Sequence, residues 1–337
     1  MSVTHDVPTS GGSESSGSPR GTARTVLDRL ALDRFSGVYG LVAMIVLFSI
    51  LLPATFPTSI TARSIGSSSA VTALLALALV LPLAAGVFDL SVAANLGLSV
   101  VIAISAEQNG MGAGPAITLA LASGLAIGLT NAALVVGLRI DSFIATLGMS
   151  SVLIGLAYWT TDGNPLVVPP GSTLVKLGQA NVAGVPVGVL YALVIAAVVY
   201  YLTEWTTPGR YLYAVGGNKE ATRLVGVRVN RLLVGALAAS GVLASFAGVV
   251  LAAQLGAGSA DIGPAYLLPA FSAALLGATQ VSRHGRVNVP GTLVAVALLA
   301  TGIYGLQLAG APIYISNLFN GLALILAVAL ATRAKRS

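Results

Sequence analysis

The chain has 337 residues, of which 56% are hydrophobic and only 8% are charged, against about 25% charged residues in soluble domains. Its mean hydropathy is +0.91, and apolar runs of about 18 residues or more recur along it, so its medium is a lipid bilayer. The net charge of +6 does not indicate nucleic-acid binding, because the positive residues lie in short loops and tails rather than on one basic face.

The residue types that several kinds of chemistry need are missing. The chain has no cysteine and only two histidines, His5 and His284, which do not form a pair at metal-ligand spacing. The Gly-Lys dipeptide of a phosphate-binding P-loop does not occur either. We therefore expect no metal, no cofactor and no catalytic residue, so that any ATP hydrolysis belongs to a separate subunit.

Residues 1–34 are predicted to form a disordered cytoplasmic tail. The first part is rich in Ser, Gly, Thr and Pro, cannot bury enough apolar surface to fold, and lacks the apolar core of a cleaved signal peptide. Residues 35–337 are predicted to be a single transmembrane domain.

Apolar segments predict an all-α bundle of about ten membrane-spanning helices. Their approximate bounds are Phe35–Leu52, Ser67–Leu83, Leu90–Ala106, Ala116–Leu138, Ser142–Thr161, Pro186–Thr203, Leu232–Leu255, Tyr266–Ala278, Val289–Leu308 and Ile313–Ala331. Two of them look short: the second is interrupted by Pro82 and Gly86, and the eighth follows Gly263 and Pro264. Broken helices are tolerated in a membrane only inside protein or along a watery path.

The distribution of positive charge predicts the orientation. With the N-terminus in the cytoplasm, all but Arg63 and Lys176 of the 17 lysines and arginines fall on the cytoplasmic side. This asymmetry favours two cytoplasmic termini and an even number of spans. Spans two to five and seven to ten then start from opposite sides, which is the topology of an inverted repeat, although no sequence similarity joins the two groups.

The stretch GVFDLSVAANLGLSV at 86–100 places polar groups where an apolar segment restarts. A buried carboxylate is costly in hydrocarbon, so Asp89 must be capped, paired or hydrated. Two interpretations stay open for Asp89, Ser91 and Asn95. Asp89 caps the next helix with help from Ser91, or these side chains line a translocation path.

Small residues recur at every fourth position of the seventh span and predict a close helix contact. The members are Ser240, Ala244, Gly248 and Ala252, extended by Ala236 and Gly256. Gly124 and Gly128 repeat the pattern in the fourth span. An alanine-rich composition produces such spacing by chance as well, but tight packing within the subunit is the expected role.

A charged segment at 204–231 separates the two groups of spans. We expect Pro208 and Gly209 to break the preceding helix, Gly216 and Gly217 to reverse the chain, and Asn218 to cap a short helix over Lys219–Val225 that Gly226 ends. Glu220 lies in the first turn of this helix, and Ala221, Leu224 and Val225 form an apolar face beside Arg223. Such a helix suits a groove of another protein. The alternative is a solvated positive loop.

These motifs resemble the ribose, xylose and galactoside permeases of bacterial ABC importers. The resemblance rests on GVFDLSVAANLGLSV at 86–100, DSFIATLGMSSVLIGLAYWTTDGNP at 141–165 and, most specifically, GRYLYAVGGNKEATRLVGVRVNR at 209–231. It implies a multi-pass protein of the bacterial cytoplasmic membrane. Its expected partners are ABC ATPase subunits, an extracytoplasmic sugar-binding protein and a second permease copy or paralogue. It also implies that the ATPase contacts Gly216, Gly217, Asn218, Glu220, Ala221, Arg223, Leu224 and Gly226.

The function expected from this resemblance is import of a ribose-, xylose- or galactose-like monosaccharide. Import of branched-chain amino acids or nucleosides is the nearest alternative, since the sequence does not reveal the solute. From other classes, an ion-coupled carrier usually places charge pairs in the membrane, which are not evident here although Asp89 and Asp261 stay candidates. An intramembrane enzyme would need catalytic pairs that the sequence lacks.

Overall fold

The computed structural model describes residues 32–280, 286–312 and 314–334, so the predicted tail lies outside it except for its last three residues. The α-helices of these residues are α1 (Leu32–Leu51), α2 (Ser59–Ala84), α3 (Val92–Gln108), α4 (Ala113–Ala132), α5 (Ser142–Thr161), α6 (Thr173–Gln179), α7 (Val187–Tyr200), α8 (Thr207–Gly217), α9 (Lys219–Leu224), α10 (Val229–Leu255), α11 (Leu267–Ala278), α12 (Val289–Leu308) and α13 (Tyr314–Ala334). Turns of π-helix extend α4 through Ala133–Gly137 and α7 through Tyr201–Trp205. Four two-residue strands pair as β1 (Leu166–Val167) with β4 (Ala257–Gly258) and β2 (Asn181–Val182) with β3 (Val185–Pro186), both antiparallel.

The described helices confirm an all-α, polytopic membrane protein. Six of them are long and apolar enough to cross a membrane: Ser59–Ala84, Ala113–Gly137, Ser142–Thr161, Val187–Trp205, Val229–Leu255 and Val289–Leu308. Four shorter apolar helices are found at Ser36–Leu51, Val92–Gln108, Pro264–Ala278 and Tyr314–Ala329. The short eighth segment is as predicted, since α11 has only 12 residues and follows a 3-10 turn at Pro264–Tyr266.

The prediction that the second span is short was wrong. Helix α2 has 26 residues and begins at Ser59, eight residues before the predicted start, with Pro82 inside its last turn. Its first turns, SITARSIGSSS, are too polar to be found by hydropathy. Thr58 caps the helix, because its hydroxyl accepts a hydrogen bond from the Thr61 amide at 3.2 Å.

Connections gather at two ends of the bundle. At one end, Gly86 contacts Gly216, and the Tyr213 hydroxyl donates a hydrogen bond to the Val287 carbonyl. We call this the α8–α9 end. At the other, the β1–β4 end, Gln108 donates to the Val167 carbonyl at 2.9 Å, and Ser172, the N-cap of α6, donates to Glu107. The long helices run between these two sets of loops.

The helix contacts are mirrored between the two halves of the chain. Helix α3 packs on α4 and α5, and α11 packs on α12 and α13 in the same way. Helix α10 packs on α3 and α4, and its counterpart α2 packs on α11 and α12. Helices α2 and α10 also contact each other. The contacts thus form two equivalent groups, α10 with α3–α5 and α2 with α11–α13, so that the first helix of each half packs against the other half.

The small-residue stripe of α10 lies at close contacts with neighbouring helices. Ser240, Ala244, Gly248 and Ala252 are all buried against neighbouring helices. A Cβ atom on Gly241 would lie 2.3 Å from the Gly124 carbonyl oxygen, and one on Gly248 would lie 2.4 Å from the carbonyl oxygen of Leu96. The absence of side chains at these glycines therefore lets α10 touch the backbones of α3 and α4.

Candidate functional site

A buried cluster of polar side chains lies where α2 gives way to α3. The chain leaves α2 at Ala84, turns at Gly86 with φ +74°, and re-enters helix at Val92. Asp89 lies in this break and is only 1% exposed. Two hydroxyls of α5 hold the break from outside, since the amides of Phe88 and Leu90 donate to Ser142 Oγ (3.2 Å) and Thr146 Oγ1 (3.0 Å).

The Asp89 carboxylate joins the break to α10. Its Oδ1 accepts from the amide and the hydroxyl of Ser91 (3.1 and 2.6 Å), and its Oδ2 accepts from the Ser240 hydroxyl (2.8 Å). Ser240, predicted only as a packing residue, is therefore also a hydrogen-bond partner across 151 positions of sequence. No lysine or arginine pairs with Asp89 among the described residues.

Asp89 does not cap α3 in the way the sequence suggested. The residue at the N-cap is Ser91, which has helical φ and ψ angles and makes no capping hydrogen bond with its side chain. Its hydroxyl instead donates to Asp89 and accepts from Asn131 Nδ2 at 2.7 Å. The carboxylate thus joins the α2–α3 break to α10 by hydrogen bonds, and it does not cap the amides of the first turn of α3.

Asn95 continues the cluster one turn deeper into α3. Its Nδ2 donates to the Gly241 carbonyl at 2.8 Å, and its Oδ1 accepts from Ser245 Oγ at 3.0 Å. Ser99 Oγ donates to Ser245 Oγ at 2.8 Å, and all these side chains are buried. Ser99 and Ser245 were missed, although Ser91, Asn95 and Ser99 recur every four residues and so share one face of α3.

We expect Asp89→Ala to destabilise the protein by about 1–3 kcal/mol, because it leaves three buried donors without their acceptor. Asp89→Asn keeps an acceptor for Ser91 and should cost less. Thermal melting in detergent, measured together with uptake, checks this. Asp141→Ala is the matched control, since that exposed N-cap of α5 accepts only local amides and should cost about 1 kcal/mol. If Asp89→Asn melts normally but abolishes uptake, the carboxylate serves the translocation path instead.

The segment 204–231 forms two helices rather than one. Pro208 and Gly209 follow the end of the preceding helix, as predicted, but they start α8. The reversal predicted at Gly216 and Gly217 was wrong, since both are the last residues of α8. Gly216 is needed there for close approach: a Cβ on it would lie 2.2 Å from the Ala84 carbonyl oxygen. The end of α8 thus rests on the α2–α3 break.

Helix α9 presents an apolar patch to solvent. Asn218 Oδ1 accepts from the Ala221 amide at 2.9 Å and caps the helix, and Gly226, at φ +84°, follows its end. Leu224 is 87% exposed and Val225 is 79% exposed. Ala221 and Arg223 are also exposed, and Arg223 pairs with Glu220 at 3.6 Å. Two such exposed aliphatic side chains at the C-terminal end of a short helix favour a partner surface.

A cleft of about 610 Å³ separates α9 from the rest of the bundle. The α2–α3 break forms one wall, and the connection between α4 and α5 forms another. Its lining includes five charged side chains: Arg139, Asp141, Lys219, Glu220 and Arg223. The cleft therefore brings the α9 surface next to the segment that carries Asp89.

Tyr213 ties α8 to the chain that precedes α12. Its hydroxyl donates to the Val287 carbonyl at 3.0 Å, and the Arg286 guanidinium lies 5.3 Å from the ring centre. Burial, helped by the nearby Glu204 carboxylate, raises the pKa of Tyr213 to about 12. The hydroxyl accordingly stays a neutral donor at physiological pH.

Known proteins are similar in sequence to this chain over most of its length. The family described as "Branched-chain amino acid transport system / permease component" matches residues 61–328. The chain is 32% identical to the ribose import permease protein RbsC of Escherichia coli K12, over 86% of this chain and 91% of the relative. It is 30% identical to RbsC of Bacillus subtilis 168, over 89% and 92%. It is also 30% identical to the L-arabinose ABC transporter permease protein AraH of Azospirillum brasilense, over 86% of each chain.

No solved structure matches the chain. The predicted resemblance to permeases is confirmed by the family match and by these relatives. The family match at 61–328 includes the polar cluster, α8 and α9. A buried polar cluster within a bundle of apolar helices agrees with a permease. The chain therefore belongs to the family of branched-chain amino acid transport system permease components.

Proposed function

We propose that this chain is the membrane-spanning permease subunit of an ABC importer that carries a neutral monosaccharide. The observation that supports it most is the near full-length similarity to permeases named for ribose, L-arabinose and D-allose. ATP is then hydrolysed in a separate subunit, in line with the absence of a P-loop from the sequence.

Ten spans with both termini in the cytoplasm complete the proposed topology. The six long and four shorter apolar helices provide that number. Arg139, Arg210, Lys219 and Arg223 line clefts at the α8–α9 end, which supports a cytoplasmic position for this end. The mirrored contacts of α2–α5 and α10–α13 support an inverted repeat, as in many transporters.

The proposed coupling route starts at α9. An ATPase subunit binds Leu224 and Val225, and its movement passes through α8 to the backbone contact between Gly216 and Gly86. From there the α2–α3 break transmits it to α10 through the hydrogen bonds of Asp89. A sugar-binding protein delivers the solute at the β1–β4 end, and a second permease copy or paralogue completes the channel.

ATP-dependent uptake in proteoliposomes tests this function. The chain is reconstituted with its cognate ATPase and binding protein, and uptake of labelled D-ribose, L-arabinose, D-allose and L-leucine is compared. We expect at least one sugar, and not leucine, to accumulate only with ATP. Uptake of leucine alone would favour the amino-acid alternative. Sugar uptake that needs an ion gradient instead of ATP would indicate an ion-coupled carrier.

A further inference from the structure

The Tyr213 side chain reaches from α8 to the place where α11 ends and α12 begins, which we call the α11–α12 corner (277–280 and 286–291). The hydroxyl of this half-buried tyrosine donates to the Val287 carbonyl at 3.0 Å. The Glu204 carboxylate oxygen lies farther away, at 3.4 Å, so the shorter bond goes to Val287. The Arg286 guanidinium packs over the ring at 5.3 Å from its centre. Two contacts thus join α8 to the chain that leads into α12.

The α11–α12 corner is held together by hydrogen bonds and by backbone contact. Asn288, the residue after Val287, caps α12 by accepting from the Gly291 amide at 2.7 Å. Its Nδ2 atom donates to the carbonyls of Gly277 and Gln280, at the end of α11, at 3.1 and 3.0 Å. A Cβ atom on Gly291 would overlap the Gly277 carbonyl oxygen, so the two backbones also touch. A pull on Val287 therefore moves the end of α11 and the start of α12 together.

This corner belongs to a different group of helices from the one that Asp89 reaches. Asp89 bonds to Ser240 on α10, which packs in the group with α3–α5. Helices α11 and α12 pack instead in the group with α2 and α13. Helix α8 packs on α2 and on α10, so it lies across both groups. Tyr213 attaches it to the second group by a hydrogen bond.

The Tyr213 hydrogen bond differs in kind from the contact between Gly216 and Gly86. Two glycines in van der Waals contact resist being pushed together, but they offer little resistance to separation. A hydrogen bond weakens steeply when donor and acceptor part, so it also holds α8 against withdrawal. Alternating access needs movement in both directions, and the bond from Tyr213 supplies the pull.

Helices α8 and α9 are joined without an intervening loop. The Asn218 amide donates to the Ala214 carbonyl at 3.0 Å, which closes α8, and Asn218 Oδ1 accepts from the Ala221 amide, which opens α9. The buried Thr222 hydroxyl donates back to the Asn218 carbonyl at 2.7 Å. A displacement of α9 is therefore passed to α8 and to Tyr213, about one turn before the end of α8.

We propose that Tyr213 is a positioning residue for transport, which ties α8 to the α11–α12 corner so that the movement of the ATPase reaches both groups of helices. The role rests on the proposed function. It deepens that function by adding a second branch to the coupling route, from α9 through α8 and Val287 to α11 and α12. When this bond is removed, α9 still binds the ATPase, but the second group follows its movement incompletely, and ATP is hydrolysed without transport.

The first test is Tyr213→Phe in the reconstituted complex, assayed with whichever of D-ribose, L-arabinose and D-allose is transported. Phenylalanine keeps the ring beside Arg286 and removes only the hydroxyl. Copurification of the ATPase should stay at the wild-type level, whereas the sugar carried per ATP hydrolysed should fall three- to tenfold. This change corresponds to about 0.7–1.4 kcal/mol, within the range of one neutral hydrogen bond. Tyr211→Phe, which removes an exposed hydroxyl from the same helix, is the matched control and should keep the wild-type ratio.

A tyrosine with a purely structural role would give a different result. Its loss would lower the thermal midpoint and the number of active complexes, so transport and ATP hydrolysis would fall together. The ratio of sugar carried to ATP hydrolysed would then stay at the wild-type value. That result would overturn the positioning role whatever the change in melting.

The second test asks whether Tyr213 and Asn288 lie on the same branch. Asn288→Ser keeps a hydroxyl to cap the Gly291 amide, but it removes the donor to the carbonyls at the end of α11. Each single variant should lower the sugar carried per ATP. The double variant should lower it no further than the stronger single variant, because the branch is already broken. Effects that multiply would show two independent contributions and would overturn the branch.

The outcomes separate this role from the proposed function. If the wild-type complex carries none of these sugars with ATP, the proposed function is wrong, and the role of Tyr213 is overturned with it. If the wild type transports a sugar while Tyr213→Phe keeps the wild-type ratio, or no longer copurifies with the ATPase, the role of Tyr213 alone is overturned.

Discussion

Replacing Gly241 by alanine is expected to destabilise the protein by about 3 kcal/mol or more, the upper end of the usual cost of overpacking. The added methyl group would lie 2.3 Å from the Gly124 carbonyl oxygen and 2.9 Å from the Gly128 Cα atom. Both are backbone atoms, so no rotamer change can relieve the clash, and α10 must move away from α4. That movement also disturbs the hydrogen bond from Asn95 to the Gly241 carbonyl.

Gly235→Ala is the matched control, because Gly235 lies on the same helix and no atom lies within 4 Å of the position of its added Cβ. It should be neutral or stabilising by up to about 1 kcal/mol, since alanine is the better helix former. Thermal melting in detergent and the yield of folded protein measure both variants. Equal melting of the two alanine variants would contradict the close contact of α10 with α4.

Turning Leu224 into aspartate is expected to abolish the copurification of the ATPase subunit and the ATP hydrolysis that depends on it. Leu224 is 87% exposed in the single chain, so the change should leave its own melting unchanged. In a complex, the carboxylate would be buried in the apolar groove that takes up α9. A cost on the order of 3 kcal/mol corresponds to more than a hundredfold weaker binding.

Leu177→Asp provides the comparison for this variant. Leu177 is a 45% exposed leucine on the short helix α6, at the β1–β4 end, so the same change there should leave ATPase binding intact. Copurification from membranes and ATP hydrolysis in reconstituted complexes are the measurements. Wild-type values for Leu224→Asp would mean that α9 belongs to a solvated, positively charged loop that does not bind the ATPase.

Sequence reasoning succeeded where the physical cause is local. Apolar runs locate membrane helices because hydropathy is a property of a single segment, and Asn218 caps α9 because the cap bonds an amide three residues away. It failed at α2, where a polar first half, SITARSIGSSS, belongs to a long helix. The predicted chain reversal at Gly216 was also wrong, because this glycine allows α8 to contact α2 closely and does not form a turn.

The amino-acid sequence by itself determined the membrane environment, the helical class, the family and the position of the segment that carries α9. The tertiary structure alone decided the partners of each polar group. Asp89 Oδ2 accepts a hydrogen bond from the Ser240 hydroxyl, 151 positions away in the sequence, and Gly216 lies against the Ala84 carbonyl of α2. The physical reason is that hydropathy, capping and charge act within a segment, whereas these contacts depend on which helix faces lie together after packing.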